Sequence, residues 1–99
     1  MKELTEQQLL SLLDTNEQDI SLFFYTPFCG TCKLAQQMLE IIETSYPELR
    51  ICKINIQFAP NLREQWRISS VPCLIRIHDS VASPIYAFHS IPDILEYVT

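Results

Sequence analysis

The sequence predicts an α/β fold, with a central four-stranded mixed sheet flanked by helices on both faces. Three observations carry that expectation. Segments with apolar residues at helical spacing alternate with short, nearly continuous apolar runs. A long helix-like stretch joins the first two of those runs, as a parallel pair with a right-handed crossover requires. The last two runs are separated only by "DSVAS", the short connection of an antiparallel pair.

The elements follow in order. In "LTEQQLLSLLDTN" the residues Leu4, Leu9, Leu10, Leu12 and Leu13 recur at helical spacing, and Thr5 and Gln8 stand as a capping box. "ISLFFY", residues 20–25, is apolar throughout and too short for a capped helix, so it reads as a strand buried on both faces and ended by Thr26 and Pro27. From about Cys29 to Tyr46, the residues Leu34, Met38, Ile41, Ile42 and Tyr46 mark the longest helix, which Pro47 stops. "RICKINI", residues 50–56, is the second strand, and Pro60 opens a short helix through Trp66. "CLIRIH", residues 73–78, follows Pro72 as the third strand, and "PIYAF", residues 84–88, is the fourth. "SIPDILEYV" closes as a helix with Ser90 at its cap and Pro92 and Asp93 in its first turn. The order is α-β-α-β-α-β-β-α, with no repeat, low-complexity tract or linker, so residues 1–99 are expected to form one domain.

Composition narrows the class of function. A 99-residue chain that is 47% hydrophobic can build one core unaided. Seven Lys and Arg against 12 Asp and Glu give a formal charge of −5, which argues against nucleic acid as a partner. No apolar run approaches the roughly 20 residues that span a bilayer. The start "MKELTEQQLL" lacks the apolar stretch of a signal peptide, and a cytoplasmic location is expected. Four cysteines could form the two-disulfide framework of a secreted protein, with three connectivities. Cys52 and Cys73, however, sit inside strand-like apolar runs, where a free cysteine serves as a small hydrophobe. A reducing compartment fits better, and there an isolated Cys-x-x-Cys is more often catalytic than structural.

That pair lies in "PFCGTCK", residues 27–33. Structural zinc wants four ligands in two close pairs, and neither Cys52 with Cys73 nor His78 with His89 supplies the second pair, so no metal is expected. A metal bridge between two chains and an inert pair are the remaining alternatives to redox chemistry. If the helix begins at or just after Cys29, its thiol meets unpaired amides at the positive end of the helix dipole, which favours the thiolate. Cys32 follows one turn later on the same side, within reach of a disulfide across the small Gly30. Exposure then divides the labour: Cys29 at the helix tip attacks a partner's disulfide, and Cys32 resolves the mixed disulfide.

"FFYTPFCGTCK" resembles the active-site segment of the thioredoxin family, whose usual form is Trp-Cys-Gly-Pro-Cys-Lys after a buried strand. "SSVPC" stands where that family carries a cis-proline, and "KINI" matches its lysine-bearing strand. The resemblance covers essentially the whole chain, although the family's extra N-terminal strand has little room. It implies a thioredoxin-like fold, Cys29 as nucleophile, Cys32 as resolving thiol, and Pro72 as a cis-proline exposing the backbone of Val71 to a bound polypeptide. Phe28, Gly30, Thr31, Val71 and Pro72, with the "HSI" turn at 89–91, would form the surface that meets it. Protein disulfides are the implied substrates and a flavin-dependent thioredoxin reductase the implied electron donor. The chain itself is expected to be a monomer without a bound cofactor.

Several residues depart from the family or carry a plainer reading. Thr31 replaces the proline between the cysteines, and Phe23 stands where many thioredoxins bury an aspartate thought to deprotonate the resolving thiol. Lys53 thereby loses its family partner, and the glycines usual around the last strand are absent. Cys73 and Cys52 read as buried thiols, His89 as a loop residue and Trp66 as a packing residue. The rival to an oxidoreductase is a non-catalytic binding module on the same fold, since one fold hosts many functions.

Overall fold

The computed structural model describes residues 1–14, 19–78, 81–86 and 90–99. Five strands, β1 (Lys2–Glu3), β2 (Ile20–Tyr25), β3 (Ile51–Asn55), β4 (Cys73–His78) and β5 (Val81–Ile85), form one sheet in the order β1-β3-β2-β4-β5. β1, β3 and β2 run parallel, and β4 and β5 are antiparallel to their neighbours. β2 therefore lies at the centre. All but its last residue are buried, Ser21 among them, as its mostly apolar sequence leads one to expect.

Four helices, α1 (Glu6–Asp14), α2 (Gly30–Ser45), α3 (Pro60–Gln65) and α4 (Ile91–Val98), cover the sheet. Successive strand side chains point to opposite faces, so each strand feeds two separate clusters. Leu22, Phe24, Ile54, Cys73 and Ile75 pack with Leu9 of α1 and Leu62 of α3. Phe23, Ile51 and Leu74 pack with Cys32, Ala35, Leu39 and Ile42 of α2 and Ile94 and Val98 of α4. The helix pairs thus occupy opposite faces, and the cysteine pair enters from the α2/α4 side. Among the described residues, no helix is long and apolar enough to cross a membrane.

Local chemistry sets the helix starts. The Thr5 amide donates to Gln8 Oε1 at 2.9 Å and the Gln8 amide donates back to Thr5 Oγ1 at 3.1 Å, a reciprocal capping box. Ser90 Oγ accepts the Asp93 amide at 3.3 Å and caps α4, whose first turn also takes Pro92. Pro60 opens α3, where its missing amide leaves no helical hydrogen bond unmade.

Three boundaries differ from the sequence expectation. The sheet has five strands rather than four, because the chain before α1 reaches β3. Lys2 and Glu3 pair with Cys52 and Lys53, the Leu4 amide donates to the Lys53 carbonyl at 2.9 Å, and Leu4 is buried. A two-residue strand is too short to show a periodicity. The second expected strand runs Ile51–Asn55 rather than 50–56, and it ends there since Asn55 Oδ1 accepts the Gln57 amide at 3.0 Å and turns Ile56–Phe58 into a 3₁₀ turn. The last strand begins at Val81, earlier than expected, paired from His78↔Val81 to Leu74↔Ile85. Pro84 is tolerated inside it because β5 is an edge strand. The expected continuation through residues 87 and 88 lies outside the described residues, as does part of the "DSVAS" connection.

Leu39 is fully buried and anchors the middle of α2 on the sheet. Leu39→Ala is expected to lower stability by about 2–5 kcal/mol. Urea unfolding should show this as a lower midpoint at unchanged slope.

Candidate active site

The chain leaves β2 at Tyr25, and the Cys29 amide donates to the Thr26 carbonyl at 3.4 Å, closing the turn over Pro27 and Phe28. Cys29 is the cap of α2, with extended backbone (φ −109°, ψ 113°). The first amides of a helix have no helical acceptor, and caps usually supply a side-chain oxygen. Here the acceptor is sulfur: the Cys32 amide donates to Cys29 Sγ at 3.1 Å. The Thr31 hydroxyl lies 3.2 Å from the same sulfur. The Val71 carbonyl lies 3.9 Å from it across the loop before β4. Cys29 is half-buried, whereas Cys32, one turn deeper, is 2% exposed.

The two thiols are pushed apart in acidity. Burial raises Cys29, but hydrogen bonds from the Cys32 thiol, the Thr31 hydroxyl and the amides of Cys32 and Thr31 together outweigh it, so its pKa falls below the usual thiol value. Burial pushes Cys32 up to about 11, helped by its hydrogen bond and charge interaction with Cys29 and opposed by the Thr26 backbone. Cys29 is thus the more acidic of the two thiols, and Cys32 the one that holds its proton more tightly.

The Val71-Pro72 peptide bond is cis. Val71 packs against both apolar clusters, and Pro72 is half-buried beside the cysteines. Thr31, Leu34, Ala35, Met38, Pro72 and Tyr86 line a cleft of about 240 Å³ next to the pair. Phe28 is 86% exposed, and Leu34 is 59% exposed. A Cβ added at Gly30 would meet nothing within 4 Å, so packing inside the chain does not demand glycine there. Thr31 and Val71 thus reach the Cys29 sulfur, Pro72 shares the cleft with Thr31, and Phe28 and Gly30 flank Cys29 in the chain. His89 lies outside the described residues.

Other residues singled out in the sequence are placed elsewhere. Phe23 is fully buried and stacks on Tyr25 with ring centroids 5.8 Å apart. The Lys53 ammonium sits 5.5 Å from the Tyr25 ring centroid, and the Tyr25 hydroxyl donates to Glu3. Burial and that bond push the Tyr25 pKa to about 12. Cys52 and Cys73 are buried in the cluster on the opposite sheet face, and Trp66 packs edge-on against Phe24 there. Burial raises Cys73 to about 11, against a hydrogen bond with Tyr86. The sequence reading missed Tyr86, whose hydroxyl reaches the Ser69 amide and the Arg67 carbonyl, both at 3.4 Å. Nothing local marks it, since the contact joins the residue after β5 to the loop before Pro72.

The family model described as Thioredoxin matches residues 1–90. The chain belongs to the thioredoxin family. The thioredoxin-like protein YusE of Bacillus subtilis is 36% identical over 99% of this chain and 91% of its own length. A thioredoxin of Chlamydia trachomatis is also 36% identical, over 57% of this chain and 55% of that one. The crystal structure of chloroplastic thioredoxin z superposes with a TM-score of 0.84 at 22% identity, covering 99% of this chain and 90% of that one. Mitochondrial thioredoxin 3 of Saccharomyces cerevisiae gives 0.83 at 19% identity, covering 99% and 92%. The structural neighbours establish the thioredoxin fold. Membership of the family supports thiol–disulfide oxidoreductase activity.

The split between the thiols has a direct readout. Brief iodoacetamide treatment of the reduced protein at about pH 7.5, followed by peptide mass mapping, should place one adduct on Cys29 and leave Cys32, Cys52 and Cys73 unmodified.

Proposed function

We propose that this thioredoxin-family protein reduces disulfides of polypeptide partners by dithiol–disulfide exchange, with Cys29 attacking and Cys32 resolving. The observation that carries the reading is the half-exposed Cys29 sulfur at the cap of α2, held by the Cys32 amide at 3.1 Å with the second thiol directly behind it. In the first step the Cys29 thiolate bonds to one sulfur of the partner and releases the other as a thiolate. In the second, Cys32 bonds to Cys29 and the partner's remaining sulfur leaves. Two electrons pass to the partner, and the proton of Cys32 goes to a departing thiolate.

The partner would lie extended along Val71 and Pro72, with an apolar side chain in the cleft lined by Leu34, Met38, Pro72 and Tyr86. The open space around Gly30 supports close approach of its backbone. Reduction is the favoured direction in a reducing compartment, and we place the protein in the cytoplasm, where free thiols at Cys52 and Cys73 persist. A thioredoxin reductase is the electron donor that the family relationship suggests.

Partner trapping tests the assignment of roles. Cys32→Ser should accumulate a mixed disulfide with a disulfide-bonded polypeptide, and Cys29→Ser should accumulate none. Capture by Cys29→Ser alone would reverse the roles, and capture by neither would favour a binding module.

The buried Phe23 leaves no carboxylate beneath Cys32 at the family position. Loss of a general base costs rate, so stopped-flow decay of the mixed disulfide should be at least about tenfold slower than in a thioredoxin that keeps the aspartate. Equal rates would show that no such base is needed here.

A further inference from the structure

We infer that the Thr31 hydroxyl is a catalytic hydrogen-bond donor to the Cys29 thiolate, and that it tilts the Cys29–Cys32 couple toward the dithiol form. The inference rests on the proposed exchange reaction and adds to it a residue that sets both its rate and its poise.

The charge on the sulfur sets the direction of the bond. Thr31 Oγ1 lies 3.2 Å from Cys29 Sγ, within reach of a hydrogen bond to sulfur. Either atom could donate while Cys29 is a thiol, but a thiolate has no proton, so in the attacking form the hydroxyl must be the donor. Thr31 is exposed and follows Gly30 in the first turn of α2, so packing does not dictate its side chain. The sulfur thus receives a side-chain donor as well as the Cys32 amide. A proline at this position, the usual residue of the family, has no side-chain proton to give.

The consequence differs between the two redox states. In the dithiol form the bond is charge-assisted and strong. Once Cys29 has bonded to Cys32, its sulfur carries no charge and the same hydroxyl has only a weak acceptor. The donor therefore stabilises the reduced state relative to the disulfide. It should raise the fraction of attacking thiolate near neutral pH and make the protein a weaker reductant than it would be without the hydroxyl.

Thr31→Val keeps the branched shape and removes the donor, whereas Thr31→Ser keeps the donor and removes the methyl. The rate of iodoacetamide reaction at Cys29 is measured against pH for the full chain and both variants, and the couple is equilibrated against glutathione buffers at two pH values. Thr31→Val should move the alkylation midpoint up by about one pH unit, with Thr31→Ser staying near the parent. Above both midpoints, that tenfold loss of thiolate stability should make the Thr31→Val couple about 30 mV more negative. Below both midpoints, where Cys29 is a thiol in either protein, the difference should vanish, a pattern that a purely structural effect would not produce.

A parent protein with a low midpoint and a Thr31→Val variant identical to it overturns the inference and leaves the proposed exchange standing. A parent with no midpoint below about 8.5, the value of a free thiol, overturns both.

Discussion

The start of α2 presents amide groups that no helical carbonyl can satisfy, and the chain answers one of them with a sulfur atom. The site depends on that substitution. The amide that fixes where the helix begins also holds Cys29 Sγ, 3.1 Å away, so a feature of folding and a feature of reactivity share one bond. The placement is in turn supported from below. Ala35, Leu39 and Ile42 seat α2 on Phe23 and Leu74, and the buried Cys32 belongs to the same contact surface. The Cys29 sulfur therefore stands on a packed helix rather than on a loop, with the Val71 carbonyl opposite it.

Most of this was legible in the sequence because it rests on short-range signals. The capping box at Thr5 and Gln8, the apolar run at 20–25, the proline stops and the Ser90 cap each act within a few residues, and all appear where expected. The cis bond before Pro72 followed from the family resemblance, not from any local rule. What was not legible depends on distant partners. β1 exists because Lys2 and Glu3 find β3 about fifty residues away, and Tyr86 is placed by contacts to Arg67 and Ser69. The last strand starts three residues before Pro84 because its register is set by pairing with β4, which no local signal in the sequence records.

Phe23 shows how one departure from the family redistributes charge. An aspartate there would put a carboxylate beneath Cys32 and give Lys53 a partner within the protein. With phenylalanine, the interior on that side is apolar, and the polar chemistry moves outward along the same strands. Tyr25 stacks on Phe23, Lys53 rests against the Tyr25 ring, and the Tyr25 hydroxyl is taken by Glu3 on the added edge strand. Burying a carboxylate is costly even beside a cation, so this arrangement relieves the fold of that cost while removing a local acceptor for the Cys32 proton. The acidity of the pair is left to hydrogen bonds at the helix tip and to burial.

The separation of the four thiols between the two faces of the sheet bears on stoichiometry. An unfolded chain offers four sulfurs of similar standing, open to six intramolecular pairings. Folding puts the sheet between them, with Cys52 and Cys73 buried in the cluster on the α1/α3 side and Cys29 and Cys32 at the start of α2 on the other. For the proposed exchange the sheet would act as an insulator: each folded chain would carry the electrons of one disulfide, and scrambling into the other two cysteines would have to wait for the chain to open.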